Sequence, residues 1–175
     1  MKGSLNERIS MDKFPYSGIV LTHSYNAAVT DSASSATAYS TGFKTNNGAL
    51  GLDQDLNELE NLTETIDKFG FVSSLISTSE VTHATPAAFA AHVDLRWKTD
   101  IISSQMIDSR VATILGGGRY FFTPEEQGGK REDGRNLLDE IKESHIVLTE
   151  KNQLSEISSS LDKHCILYTS PSPLD

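Results

Sequence analysis

Asp31 and Ser32 are the residues of this chain best suited to chemistry on an anion. They follow the short β-type run 27–30 and precede a run of small, helix-tolerant side chains that lasts as far as Gly42. This pattern predicts that Ser32 lies where a strand ends and a helix begins. A hydroxyl at such a place is surrounded by unpaired backbone N–H groups and by the positive end of the helix dipole. That environment binds anions and suits a nucleophile that must attack one.

A plainer interpretation of the same pair is helix capping. Aspartate and serine are among the usual N-cap residues, and an ordinary Asp-Ser pair before a helix needs no further role. The small residues that follow would then serve close packing. Spacing and periodicity leave both interpretations open.

Three segments resemble the signatures of one enzyme family. Residues 31–45, which begin Asp-Ser-Ala and end Thr-Gly-Phe-Lys-Thr, resemble the nucleophile motif of the alkaline phosphatases. Residues 81–93, with Arg96 shortly after them, are similar to the second signature of that family. Residues 114–119 are similar to its Gly-Gly-Gly-Arg segment. The resemblance runs from about Phe14 to about Leu154.

The resemblance implies hydrolysis of phosphate monoesters with two zinc ions, one magnesium ion and a phosphoserine intermediate. It implies that Ser32 is the nucleophile and contacts zinc, that Arg96 binds the phosphate and that Asp31 orients this arginine. It further implies that Thr85 and His83 belong to the metal site, Thr85 as a magnesium ligand and His83 close to the magnesium and the phosphate. Taken singly, Thr85 would serve as a helix N-cap, and Arg96 and His83 would be surface or packing residues.

The resemblance also predicts an incomplete metal site. The first metal ligand of the family belongs to an Asp-Gly-Met-Gly segment, which does not occur before Asp31. The other ligands of the family lie beyond the matched segments, and a catalytic zinc needs about three protein ligands. We therefore predict that residues 1–164 are a partial domain, without the N-terminal strand and C-terminal half of the family, and inactive by themselves. Residues 165–175 resemble the translation of a transposase sequencing adapter, which predicts a non-native tail.

Short apolar runs alternate with amphipathic runs along the chain. Strands are predicted at 18–22, 27–30, 71–77, 111–115 and 146–148. Helices are predicted at 58–69, with Asn57 as the cap, and at 85–93, 101–110 and 135–144. This alternation indicates an α/β fold with a largely parallel sheet, and the family resemblance implies an α/β/α sandwich. Ligands of such sheets bind beyond the carboxyl ends of the strands.

The composition of the chain disfavours some classes of binding partner. The net charge of −9 disfavours nucleic acid, which needs clustered Lys and Arg. No apolar run reaches membrane-spanning length, and the start of the chain lacks the apolar stretch of a signal peptide. The resemblance implies small phosphate monoesters as substrates, a homodimer, and a periplasmic or extracellular location.

Two other function classes are compatible with a reactive serine. A serine acyl hydrolase usually carries its serine in a Gly-x-Ser-x-Gly turn, whereas Ser32 is flanked by Asp31 and Ala33. A metal-free phosphate-binding or pseudoenzyme domain would need only Ser32 and Arg96. Persistence of activity or of phosphate binding in a metal chelator distinguishes these classes from a metal-dependent phosphatase.

Overall fold

A parallel β-sheet is the centre of the fold in the computed structural model, which describes residues 9–149, 152–153 and 164–168. Four strands lie in the order β1-β2-β4-β3, with bounds Ser74–Glu80 (β1), Thr113–Gly117 (β2), His145–Leu148 (β3) and His164–Tyr168 (β4). All three neighbouring pairs are parallel. Parallel neighbours require crossover connections, and helices occupy those between β1 and β3. The predicted α/β fold with a parallel sheet is confirmed.

Five α-helices accompany the sheet among the described residues. Their bounds are Ser32–Thr41 (α1), Leu62–Asp67 (α2), Ala84–Ala87 (α3), Thr99–Asp108 (α4) and Leu137–Glu140 (α5). The helices α3 and α4 lie between β1 and β2, and α5 lies between β2 and β3. None of the helices in the described ranges is long and apolar enough to cross a membrane.

One hydrophobic core joins the sheet to the helices that flank it. Ile102 and Met106 of α4 are fully buried, as are Ile114 of β2 and Phe122. Each such side chain contributes about 1.5–3 kcal/mol by leaving water. The small residues of α1 and α3 belong to the same core, so the helix that carries Ser32 is anchored in the body of the protein.

The prediction of two strands before Ser32 is wrong. Residues 18–22 and 27–30 have no strand structure in the described chain. Carbonyl groups in and next to these runs accept hydrogen bonds from side chains: Lys44 Nζ donates to the carbonyl oxygens of Leu21 and of His23, which follows the first run, and Asn47 Nδ2 donates to the carbonyl oxygen of Val29. Ser32 therefore lies where an irregular loop, not a strand, meets a helix.

The helix predicted at 58–69 is shorter than expected. Helix α2 begins at Leu62, because Asn61 accepts hydrogen bonds from the backbone N–H groups of Thr63 and Glu64. The preceding residues pair elsewhere, with a β-bridge from Glu58 to Leu52. Asn61 rather than Asn57 is therefore the cap.

The other strands and the helix predicted at 101–110 are confirmed with shifted bounds, whereas the helices predicted at 85–93 and 135–144 are found only as single turns. The strand predicted at 71–77 is β1, and the strands predicted at 111–115 and 146–148 are β2 and β3. The helix predicted at 85–93 is the single turn α3, which begins at Ala84, so Thr85 is not its cap. The predicted domain boundary after residue 164 falls inside β4, and residues 169–175 lie outside the described residues. That boundary stays a prediction.

Candidate active site

The first turn of α1 forms one side of the candidate site. Asp31 is the N-cap, and its Oδ1 accepts a hydrogen bond of 2.9 Å from the backbone N–H of Ser34. Ser32 is the first residue of the ten-residue helix, and Gly42 caps the C-terminus of this helix in a left-handed conformation with φ +80. Capping by Asp31 and a hydroxyl at the helix N-terminus therefore exist together. The N-terminal N–H groups and the helix dipole favour an anion beside Ser32.

Small side chains fix the place of this helix. Ala33 and Ala36 of α1 are buried, and so are Ala84 and Ala87 of α3. The short side chains allow the two helices to approach closely. Thr37 adds a polar connection on the buried side, because its Oγ1 accepts from the backbone N–H of Gly51 at 3.1 Å. The first turn of α1 is consequently held by packing on its buried face.

Arg96 brings a cation to the serine. Its Nη1 donates to Ser32 Oγ at 2.5 Å and makes a longer contact of 3.4 Å with Asp31 Oδ2. Its side chain is only 12% exposed, and its guanidinium carbon lies 5.0 Å from the centre of the exposed Trp97 ring. The backbone N–H of Arg96 donates to the carbonyl oxygen of Gly48 at 2.7 Å. Stacking and hydrogen bonds therefore restrain the guanidinium next to Ser32.

Asp31 is held as a carboxylate. Partial burial opposes its ionisation, but hydrogen bonds from the backbone and hydroxyl of Ser34, from the backbone of Gly48 and from Arg96 outweigh this effect. Together they hold the pKa of Asp31 below its ordinary value of 3.8. Hydrogen bonds to the charged form of an acid favour that form. Asp31 is thus a fixed negative partner for Arg96.

His83 lies on the other side of the guanidinium. It is the N-cap residue of α3, and its Nε2 is 3.2 Å from Arg96 Nη2. Arginine has no acceptor, so Nε2 of the imidazole is the acceptor in this contact. The structure thus brings together Ser32, Asp31, Arg96 and His83, which the sequence predicted as site residues.

Thr85 and the predicted metal ligands are not brought together in the same way. Thr85 is exposed on α3, and among the contacts of the described residues none joins it to Ser32 or Arg96. Within the same residues, no group of three or more His, Cys, Asp or Glu side chains could hold a metal ion. The described donors therefore do not fit a zinc or magnesium centre by themselves.

Two residues of the site, Asn47 and Gly48, were not predicted from the sequence. Both form hydrogen bonds with Asp31. Asn47 Oδ1 accepts from the backbone N–H of Asp31 at 3.1 Å, and the N–H of Gly48 donates to Asp31 Oδ2 at 3.1 Å. The Asn-Gly pair is a turn signal in any sequence, but nothing in its spacing reveals that it turns toward Asp31.

Comparison with known proteins places the chain among phosphatases. The family model described as alkaline phosphatase matches residues 1–167. The chain is 35% identical over 150 residues to the repressible alkaline phosphatase of Saccharomyces cerevisiae, covering 79% of this chain and 26% of that protein. It is also 35% identical over 150 residues to alkaline phosphatase 4 of Bacillus subtilis, covering 79% of this chain and 30% of the relative.

Solved structures agree with these matches. The alkaline phosphatase of the Antarctic bacterium TAB5 has a TM-score of 0.76 and 33% identity, covering 86% of this chain and 43% of that chain. A histidine-to-glutamate variant of the TAB5 enzyme, with magnesium bound in its M3 site, has a TM-score of 0.77 and 31% identity over 86% of this chain and 42% of that chain. The chain spans less than half the length of each of these proteins.

Proposed function

The chain belongs to the alkaline phosphatase family, and from this we propose that it takes part in the hydrolysis of phosphate monoesters through a covalent phosphate on Ser32. The observation that carries the proposal is the 2.5 Å contact between Arg96 Nη1 and Ser32 Oγ. A phosphate bound by that guanidinium would have its phosphorus atom next to the serine oxygen. Positioning and charge stabilisation are the main needs of phosphoryl transfer.

The reaction would proceed in two substitutions at phosphorus. In the first, Ser32 Oγ forms a bond to phosphorus and gives up its proton, the ester P–O bond breaks, and the alcohol leaves with a proton. In the second, water attacks the phosphoserine, the bond between phosphorus and Oγ breaks, and inorganic phosphate is released with Ser32 protonated again. A covalent intermediate of this kind divides one difficult displacement into two easier ones.

Arg96 would bind the phosphate through both ends of its guanidinium. Its Nη1 and Nη2 now contact Ser32 and His83, and the planar group can hold two phosphate oxygens at once. Asp31 would orient this arginine, since its carboxylate contacts Nη1 and is fixed by the N–H groups of Ser34 and Gly48. The N-terminus of α1 would add favourable electrostatics for the dianion.

The described residues supply only some of the ligands that metal ions would need. The family implies two zinc ions and one magnesium ion, with Ser32, Thr85 and His83 among the residues near them. The magnesium-bound TAB5 variant supports metal dependence in the family. Because the described residues hold no cluster of three strong ligands, we propose that the remaining ligands lie outside the described residues. We therefore expect the 175-residue chain alone to transfer one phosphoryl group to Ser32 and to sustain little further turnover.

Small phosphate monoesters are the proposed substrates. A homodimer, a location outside the cytoplasm, and the domain limits at residues 164 and 165 stay predictions.

A single transfer is enough to test the nucleophile. The 175-residue chain is incubated with zinc, magnesium and p-nitrophenyl phosphate, and the modified residue is located by peptide mass spectrometry. We expect one phosphoryl group on Ser32 in the unsubstituted chain and in Ser35→Ala, and none at this position in Ser32→Ala. Ser35 is a suitable control because it is a partly buried serine of the same helix whose hydroxyl contacts Thr30 rather than Arg96. Phosphorylation at another residue, or p-nitrophenol release that survives Ser32→Ala, would contradict the proposal.

A metal-free phosphate-binding domain is the second candidate function. The observation that favours it is the contact of Arg96 with the N-terminus of a ten-residue helix. The described residues around this contact contain no three-ligand metal cluster. Calorimetry with inorganic phosphate in a chelator tests it. Binding that persists there, without any phosphoserine in the experiment with added zinc and magnesium, would favour this candidate over hydrolysis.

A further inference from the structure

Asn47 connects two neighbouring segments at the candidate site. Its Oδ1 accepts a hydrogen bond from the backbone N–H of Asp31 at 3.1 Å and lies 3.0 Å from the hydroxyl oxygen of Ser34, whose proton it shares with Asp31 Oδ1. Its Nδ2 donates to the carbonyl oxygen of Val29 at 3.0 Å, and its backbone N–H donates to Asn26 Oδ1 at 2.9 Å. The amide group thus joins the loop before α1 to the first turn of that helix.

Gly48 extends this connection to the arginine. Its N–H donates to Asp31 Oδ2 at 3.1 Å, and its carbonyl oxygen accepts from the N–H of Arg96 at 2.7 Å. Its φ of +89 lies in the left-handed region, where a side chain is strained. The turn at 47–48 therefore touches the segment of the nucleophile on one side and the segment of the phosphate-binding residue on the other.

We propose that Asn47 is a positioning residue for phosphoryl transfer to Ser32, and this role rests on the function proposed above. Among the described contacts, its side chain touches neither Ser32 nor Arg96. It acts instead through Asp31, which precedes Ser32, and Ser34, two positions after it, and so fixes the direction of the serine hydroxyl.

The effect on rate follows from the alignment that the reaction needs. A displacement of about 1 Å from a residue outside the chemistry can slow a reaction about a hundredfold. Removal of the Asn47 amide would leave the N–H of Asp31 and the hydroxyl of Ser34 without one of their acceptors. Arg96 would keep its stacking on Trp97 and its backbone hydrogen bond to the carbonyl oxygen of Gly48. The first turn of α1 would lose its alignment while the phosphate-binding cation remained in place.

The adjacent Asn46 provides a matched control. It has the same side chain, but its Nδ2 donates to the carbonyl oxygen of Gln54 at 3.1 Å, away from Asp31. The test compares Asn47→Ala and Asn46→Ala in the 175-residue chain supplied with zinc and magnesium. It measures the rate of Ser32 phosphorylation at saturating p-nitrophenyl phosphate, the affinity for inorganic phosphate by calorimetry, and the thermal unfolding midpoint, which corrects for any unfolded fraction.

We expect Asn47→Ala to slow phosphorylation by about ten- to a hundredfold with phosphate affinity retained, and Asn46→Ala to change neither quantity. Equal rates in the two variants, or a slowing explained by the unfolded fraction, would overturn the role of Asn47. A loss of phosphate affinity that matches the loss of rate would overturn it too, since positioning of Ser32 acts on the rate. No phosphorylation of Ser32 in the unsubstituted chain would instead contradict the function on which this role rests.

Discussion

Arg96 Nη1 lies 2.5 Å from Ser32 Oγ, although the two residues are 64 positions apart in the chain. The backbone between them explains how they meet. Leu50 and Val93 exchange both of their backbone hydrogen bonds, at 2.8 and 2.9 Å, and both residues are buried. This bridge ties the segment after α1 to the segment before Arg96. The pair is therefore positioned by the fold itself and is the basis for the first prediction.

Replacement of Arg96 by lysine should weaken phosphate binding by about tenfold, or about 1.4 kcal/mol, because an ammonium group cannot hold two phosphate oxygens in one plane. Calorimetry with inorganic phosphate measures the affinity. The control is Arg119→Lys, which changes an exposed arginine after the glycine turn of β2. A similar affinity for Arg96→Lys and the unsubstituted chain would show that the guanidinium does not hold the phosphate.

Replacement of Gly48 by alanine should destabilise the protein by about 1–2 kcal/mol. The residue has φ +89, and an added Cβ would lie 3.4 Å from Leu95 Cδ1, so the cost comes from the backbone more than from a collision. Urea unfolding measures the free energy. Gly18→Ala is the matched control, because no atom lies within 4 Å of its added Cβ and its φ is not positive. Equal stability of the two variants would contradict this explanation.

The sequence predicts the parts of the site that depend on local chemistry. Asp31 is a helix cap with a serine directly after it, and Gly42 ends the same helix in the left-handed region, as the order of residue types predicts. The strands β2 and β3 are also found close to their predicted places. In these segments the local preference and the tertiary contacts agree.

The sequence-based predictions fail where side chains from distant parts of the chain form hydrogen bonds with backbone groups. The run 18–22 has β-type residues, yet Lys44 binds two of the carbonyl groups in the segment that ends at His23. The contact of Asn47 with Asp31 spans 16 positions and follows from no periodic pattern. A propensity describes one residue and its neighbours, whereas these contacts exist only once the chain has folded.

The position of the α2 cap gives a third prediction. Asn61 is fully buried, and its Oδ1 accepts from the N–H groups of Thr63 and Glu64. Asn61→Ala should therefore reduce the free energy of unfolding by about 1–2 kcal/mol. Asn57→Ala, at the cap position predicted from sequence, should cost at most about 0.5 kcal/mol because that residue is exposed. A larger loss of unfolding free energy in Asn57→Ala than in Asn61→Ala would show that Asn57 is the cap, as the sequence predicted.

The pH dependence of stability should contain a contribution from His92. Burial opposes protonation of this imidazole, but its Nδ1 faces the carbonyl oxygen of Gly51 at 2.8 Å and its Nε2 faces Glu64 Oε1 at 2.9 Å. These acceptors, together with the more distant charge of Glu58, outweigh burial and raise the pKa of His92 above its ordinary value of 6.5. The folded protein therefore binds the proton more tightly than the unfolded chain does.

The sign of the effect follows from this difference. The stabilisation by His92 is fully present below pH 6.5, the ordinary value, and is lost as the pH rises through the raised pKa of the folded state. We expect the difference in free energy of unfolding between the unsubstituted chain and His92→Gln to shrink as the pH rises through this interval. Glu64→Gln keeps an oxygen for the backbone N–H of Asn61 and should flatten the same pH dependence. A difference that stays constant over the interval would mean that His92 stabilises the fold only as a neutral side chain.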